Sequence, residues 1–190
     1  MLFGISLGVM VRAGLGVNPW SVLYEGVGRY ATDLSFGTIG LIISLLVLLM
    51  WIPLRQRPGV GTIANVFLVA VGSDFALAVL PVSENAVYTW TLLLGGIAAN
   101  GLSIAIYVGA RLGPGPRDGL MTGLSERFEG SIRLVRTGLE VAVLAIGWML
   151  GGTVGIGTVL YAVAIGPLTQ FFLPLMAVRS PEEPRDRAWT

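Results

Sequence analysis

The sequence predicts an all-α integral membrane protein of about six transmembrane helices, arranged as two inverted three-helix repeats with Gly/Pro-broken first helices. Three observations predict this. The first is composition: the chain has 190 residues, 54% hydrophobic and 12% charged, with a mean hydropathy of +0.80. A soluble domain carries about twice that charged fraction. The second is an internal repeat. VRAGLGVNPWSVLYEG (11–26) aligns with VGARLGPGPRDGLMTG (108–123) at a spacing of 97, pairing Gly16/Gly113, Pro19/Pro116, Leu23/Leu120 and Gly26/Gly123. From position 4 to 26, nine of 23 pairs are identical, against roughly two expected by chance for this composition. Downstream the spacing is 96, and GVGTIANVFLVAVGSDFAL (59–77) lies over GIGTVLYAVAIGPLTQFFL (155–173) without a gap. The matches keep their order and spacing, which general apolar, Gly-rich similarity would not do. The third observation is where the arginines fall, and it sets the orientation of each copy.

The elements follow in order. Residues 1–13 read as a first helix that is short for a span, because its partner in the second copy begins near Tyr88. Either this helix is shortened or the true start lies upstream; a cleaved signal peptide fits poorly, since the segment lacks a basic start and belongs to the repeat. Further helices are expected at 36–54, 60–80, 88–110, 134–150 and 156–177. The uncharged runs 34–54 and 85–110 each cover one span, and 141–178 covers two, with GTVGIG (152–157) as the turn between them. After each Gly-x-x-Pro the chain restarts at once, which predicts short helices near Pro19–Ala31 and Pro116–Phe128.

Arg55 and Arg57 separate the second and third spans. Arg111, Arg117, Arg127, Arg133 and Arg136 lie between the fourth and fifth or at their ends, and Arg179, Arg185 and Arg187 follow the sixth. The positive-inside rule places these regions in the cytoplasm, with the C-terminus. Three helices per copy is an odd number, so the copies run in opposite directions. The expected division is 1–84 for repeat one, 85–178 for repeat two and 179–190 for a polar cytoplasmic tail. Gly101, Ala105 and Gly109, like Gly4 and Gly8, form small-residue faces that suit close intramolecular packing or a homodimer contact.

Several classes are excluded. The absence of cysteine rules out disulfides. With no histidine or lysine either, imidazole and thiolate metal sites and the usual catalytic dyads cannot form. No enzyme, metal or cofactor is therefore expected. A net charge of +1 points away from nucleic acid. The partners expected are the lipid bilayer and a small-molecule solute.

The two breaks are the candidate site: Asn18, Pro19, Trp20 and Ser21 in copy one, Gly115, Pro116, Arg117 and Asp118 in copy two. Asn18 is a good N-cap and Pro19 a good first helical residue; Gly115 and Pro116 take those places in the second copy. First helical turns present unpaired N–H groups and a positive dipole end. A surface corner capped for stability alone would share this sequence. Arg117 offers a five-donor fork for a carboxylate or phosphate. Asp118 beside it makes a structural ion pair the expected outcome, because buried charges pair. Trp20 either stacks on a ligand or marks the membrane interface, the commoner role.

Asp74 is the acid deep inside an expected span, and Gln170 is its counterpart; Ser73 pairs with Thr169. An intramembrane carboxylate suggests proton or cation coupling, although Asp74 lies close enough to the outer end to reach water or Arg12. Asn65 and Asn100 are weaker candidates that could simply bridge helices. Arg133, Arg136 and Glu140 share one helix face; Arg136 is deep enough to line a cavity mouth and forms an i,i+4 pair with Glu140.

At LGPGPRDGLMTGL (112–124), SIRLVRTGLE (131–140), GWMLGGTVGIGT (147–158) and WIPLRQRPGVGT (51–62) the chain resembles the YczE/YyaS/YitT type of bacterial integral membrane protein. The resemblance covers nearly the whole chain. It implies a multi-helix protein of the bacterial cytoplasmic membrane and brings no activity with it. The expected function is a small-solute transporter or permease for an anionic or zwitterionic solute. The alternatives are an uncoupled channel, suggested by Asn18-Pro19 at a half-helix start, and a non-transporting interaction or scaffold protein.

Overall fold

A computed structural model describes residues 1–110 and 113–176. Among these the regular structure is entirely helical: α1 (Leu2–Ala13), α2 (Pro19–Gly28), α3 (Phe36–Trp51), α4 (Val60–Val79), α5 (Ala86–Gly109), α6 (Pro116–Arg127), α7 (Ile132–Met149) and α8 (Ile156–Met176). Arg111 and the tail bearing Arg179, Arg185 and Arg187 lie outside the described residues.

The six expected helices and the two short restarts are these eight elements. Their starts are chemically defined. Asn18 caps α2 by accepting the Ser21 amide, Ser35 caps α3 by accepting the Thr38 amide, and Asn85 caps α5 through the amides of Val87 and Tyr88. Pro19 and Pro116 each occupy a first turn, where a missing N–H costs no helical hydrogen bond.

The expectation of six crossings is refined by helix length. Three helices, α4, α5 and α8, are long and apolar enough to cross a membrane. The helices α1 and α3 are apolar but shorter. The sixteen residues of α3 rise about 24 Å, against a hydrocarbon core of about 30 Å. This helix ends at Trp51 rather than 54, because Pro53 disfavours helical backbone just before it. α7 has the length, but Arg133, Arg136 and Glu140 lie within it.

The centre is built on α1, which packs between α4 and α5, while α5 packs on α8. A Cβ on Gly4 would collide with the Val69 carbonyl, and one on Gly101 would fall 2.8 Å from Leu168 Cβ. The small-residue faces thus serve packing within the chain. Leu7, Met10, Val22, Leu93 and Ile97 fill this core. A second cluster, around Trp20, Tyr24, Ile39, Trp51 and Leu120, joins the short helices to their neighbours: α2 packs on α7, and α6 on α3.

The two breaks dock reciprocally. Gly16 (φ 103°) lies against Gly155 and Thr158 at the start of α8, and Gly113 (φ 114°) against Gly59 and Thr62 at the start of α4. Positive φ favours glycine at both positions. Hydrogen bonds seal each contact. Thr62 Oγ1 donates to the Pro114 carbonyl at 2.6 Å, and the Gly157 amide donates to the Leu15 carbonyl at 2.8 Å. Within each third helix the same local bond recurs: the Gly59 amide donates to Thr62 Oγ1 and the Gly155 amide to Thr158 Oγ1.

One relation is not matched. Helix α3 packs along α4, whereas α7 and α8 barely touch. The α3–α4 contact is tied at Asp74, which accepts from Ser35 Oγ at 2.5 Å and from the Gly37 amide at 2.7 Å.

Candidate functional site

The first turns of α2 and α6 border one cavity of about 610 Å³, together with residues of α1, α3, α4, α5, α7 and α8. The breaks leading into these helices lie far apart. Arg12, before the first break, donates to the Leu77 carbonyl near the end of α4. The second break meets Thr62 at the start of α4. Those α4 positions are about 22 Å apart along the helix, yet the side chains that follow the breaks meet in the cavity.

Arg117 makes that connection. Its guanidinium carbon lies 4.9 Å from the centre of the Trp20 ring and 5.5 Å from that of Tyr24, and Nη2 donates to the Tyr24 hydroxyl at 2.8 Å. Arginine suits such stacking because its guanidinium is planar and weakly hydrated. The expected Arg117–Asp118 ion pair is not formed. Asp118 instead accepts a hydrogen bond from the Tyr107 hydroxyl. Consecutive residues at a helix start point about 100° apart, so Arg117 reaches the α2 aromatics while Asp118 turns to α5. Trp20, 5% exposed, is a buried stacking partner rather than an interface marker.

Asn18 is 2% exposed. Its carbonyl oxygen is spent on the α2 cap, while its Nδ2 is buried without a hydrogen-bond partner among the described residues. Trp20 Nε1 and Ser21 Oγ are buried and unpartnered in the same way. Buried donors are ordinarily satisfied, so a cluster of exceptions calls for an explanation.

Of the residues expected at the site, Asn18, Pro19, Trp20, Gly115, Pro116, Arg117, Asp118 and Arg136 line the cavity; Ser21 is buried and does not line it. Arg136 pairs with Glu140 at 3.2 Å; the Arg136 side chain is exposed and that of Glu140 half-buried. Asp74 and Gln170 do not line it. Asp74, half-buried, holds the start of α3, and Gln170 is exposed. Arg12 does not reach Asp74 but caps the Leu77 carbonyl. Asn100 is a bridge: its amide donates to Ser6 Oγ at 2.8 Å, and its carbonyl accepts from the Tyr161 hydroxyl at 3.0 Å. Asn65 lines the cavity. Outside the spans, Glu25 on α2 accepts the Thr153 amide at 2.9 Å, and burial pushes its carboxyl above the usual range.

Sequence reasoning missed Tyr24, Tyr107 and Tyr161. A signal existed for one of them, since Tyr161 is the 96-residue counterpart of Asn65 and both line the cavity.

The exterior is strongly apolar: Val60, Phe67, Val71, Phe75, Val163, Phe171 and Leu175 are each more than half exposed. Helices long and apolar enough to cross a bilayer, with this surface, define a helical membrane protein. The sequence matches the family of unknown function DUF6198 over residues 1–174, and the chain belongs to that family. It is 40% identical over 186 residues to an uncharacterised protein of Haemophilus influenzae, covering 98% of this chain and 84% of the relative. It is also 32% identical over 177 residues to the uncharacterised membrane protein YczE of Bacillus subtilis, covering 92% and 80%. YyaS of the same organism is 25% identical over 183 residues, covering 93% and 89%. The resemblance to the YczE/YyaS type therefore holds over nearly the whole chain. No solved structure matches.

Proposed function

We propose that this protein is a small-solute transporter of the cytoplasmic membrane, built as two inverted repeats, with the cavity between the breaks as its substrate site. One observation carries the reading: the cavity is bounded by a closed helix pair, α3–α4, and by its parted counterpart, α7–α8. In an inverted repeat, such an asymmetry corresponds to one of two interchangeable states. The reciprocal docking of Gly16 and Gly113 on each other's third helices supports the two-fold relation.

The latch residues follow the same logic. Ser35 and Asp74 hold α3 on α4; their 96-residue counterparts are Ser131 and Gln170. Ser131 makes no side-chain cap bond, and Gln170 is exposed. With the arginine-rich segments in the cytoplasm, this is a state closed outside and parted inside. Alternation would release the Asp74 tie and bring Ser131 towards Gln170. Asp74 then acts as a gate tie, and coupling works through release of that tie.

Uptake of radiolabelled carboxylates and amino acids into proteoliposomes tests the reading. Saturable uptake that falls at least tenfold in Arg117→Ala, with equal protein incorporated, is the expected result. Absence of saturable uptake across that panel would refute it.

A further inference from the structure

We infer that the cavity takes an organic monocarboxylate with an apolar body, its head group at Arg117 and the buried donors of α2. This rests on the reading of the cavity as a substrate site and names what the site selects.

The charges decide the head group. Arg117 has five N–H donors, of which one is given to Tyr24, and it makes no ion pair among the described residues. Trp20 and Tyr24 flank it, so its remaining donors act at the edge of the guanidinium plane. A planar, two-oxygen acceptor matches that edge. Asn18 Nδ2 and Trp20 Nε1 add neutral donors on two cavity-lining residues, both at least nine-tenths buried and unpartnered among the described residues. One arginine free of carboxylate contact with neutral donors balances one negative charge.

The other ionic groups decide against the alternatives. Arg136 is engaged by Glu140, which leaves Arg117 to meet a phosphate dianion without a second free cation among the described residues. Glu140 is held by Arg136 and one Asp118 oxygen by the Tyr107 hydroxyl, so the ammonium of an amino acid would have to share a carboxylate that is already engaged. The rest of the lining includes Phe3, Leu7, Phe36, Val66, Val69 and Ile104, which offer an apolar body dispersion contact and no hydrogen bonds. A volume of about 610 Å³ falls in the range of organic-ligand sites.

The test uses the detergent-purified full chain. Thermal stabilisation is measured with phenylacetate, decanoate, decylamine, inorganic phosphate and leucine, because a ligand of the folded state raises stability with its concentration. At least one of the two carboxylates should stabilise, while decylamine, phosphate and leucine should not. Response to phenylacetate marks a water-borne acid, and response to decanoate alone marks a membrane-borne one. Arg117→Gln should abolish the shift. Trp20→Phe keeps an aromatic face but removes the N–H, and should weaken apparent affinity by about tenfold, as for one hydrogen bond to a charged group. Asn18→Asp keeps the cap oxygen but places a negative charge beside the head group, and should also abolish the shift. Each variant is compared with its own ligand-free melting temperature, so a variant that fails to fold is recognised and the other two decide. Stabilisation by phosphate or leucine in place of the acids, a carboxylate shift that survives Arg117→Gln, or no shift with any compound would overturn the inference. The same acids are then assayed for flux. Binding without flux sustains the ligand assignment and removes the transport reading; flux of leucine without carboxylate binding does the reverse.

Discussion

At the scale of single residues, the two break glycines do the same backbone job under different local pressure. Gly16 and Gly113 both sit at strongly positive φ, but a Cβ on Gly16 would lie 2.6 Å from the Gly155 amide nitrogen, whereas one on Gly113 would lie 3.1 Å from Thr62 Oγ1. The first neighbour is backbone and cannot step aside; the second is a side-chain tip. Gly16→Ala should therefore lower stability more than Gly113→Ala, by roughly 2 kcal/mol or more against about 1. Thermal melts of both variants in one detergent would check the order, and an equal or reversed order would show that the docking of break one on α8 is looser than described. Asn18 shows how much of the residue level was readable. Its capping role follows from its place before Pro19 and is observed. That its other amide atom is buried without a partner depends on what lies across the cavity, which no local pattern encodes.

At the scale of elements, hydrophobic runs and Gly/Pro punctuation located every helix to within a few residues, because each run reports its own solubility and each proline its own missing donor. The reach of the short helices was not readable. Trp51 Nε1 donates to the Pro116 carbonyl at 3.0 Å, fixing α6 to the end of α3 across 65 residues of sequence. The gate argument yields a prediction at this scale. The chain contains no cysteine, so an engineered pair reports without background. Ser131→Cys with Gln170→Cys should form a disulfide under mild oxidation in membranes once α7 closes on α8, since that bond requires Cα atoms within about 7 Å. Ser35→Cys with Asp74→Cys should crosslink from the state described here. A first pair that never crosslinks, beside a second that does, would mean α7 does not make the excursion that alternating access requires.

At the scale of the whole molecule, the outer surface is the test of the environment. Helix α8 buries little of itself inside the protein, and Val163, 70% exposed, sits mid-helix. Val163→Cys should resist a water-soluble maleimide in intact membranes and react after detergent denaturation; labelling in intact membranes would place that face in water. What the sequence determined by itself is the helical membrane class, the element order and the two breaks. These are local or periodic properties, written in runs, caps and repeats. The tertiary structure alone decided that Arg117 stacks on Trp20 and Tyr24 instead of pairing with Asp118, that Asp74 ties α3 rather than lining the cavity, and that α7 stands off α8. Each of these is a choice among partners distant in the chain. It turns on which charge or donor reaches a shared space first in three dimensions, and residue spacing along a sequence carries no record of that competition.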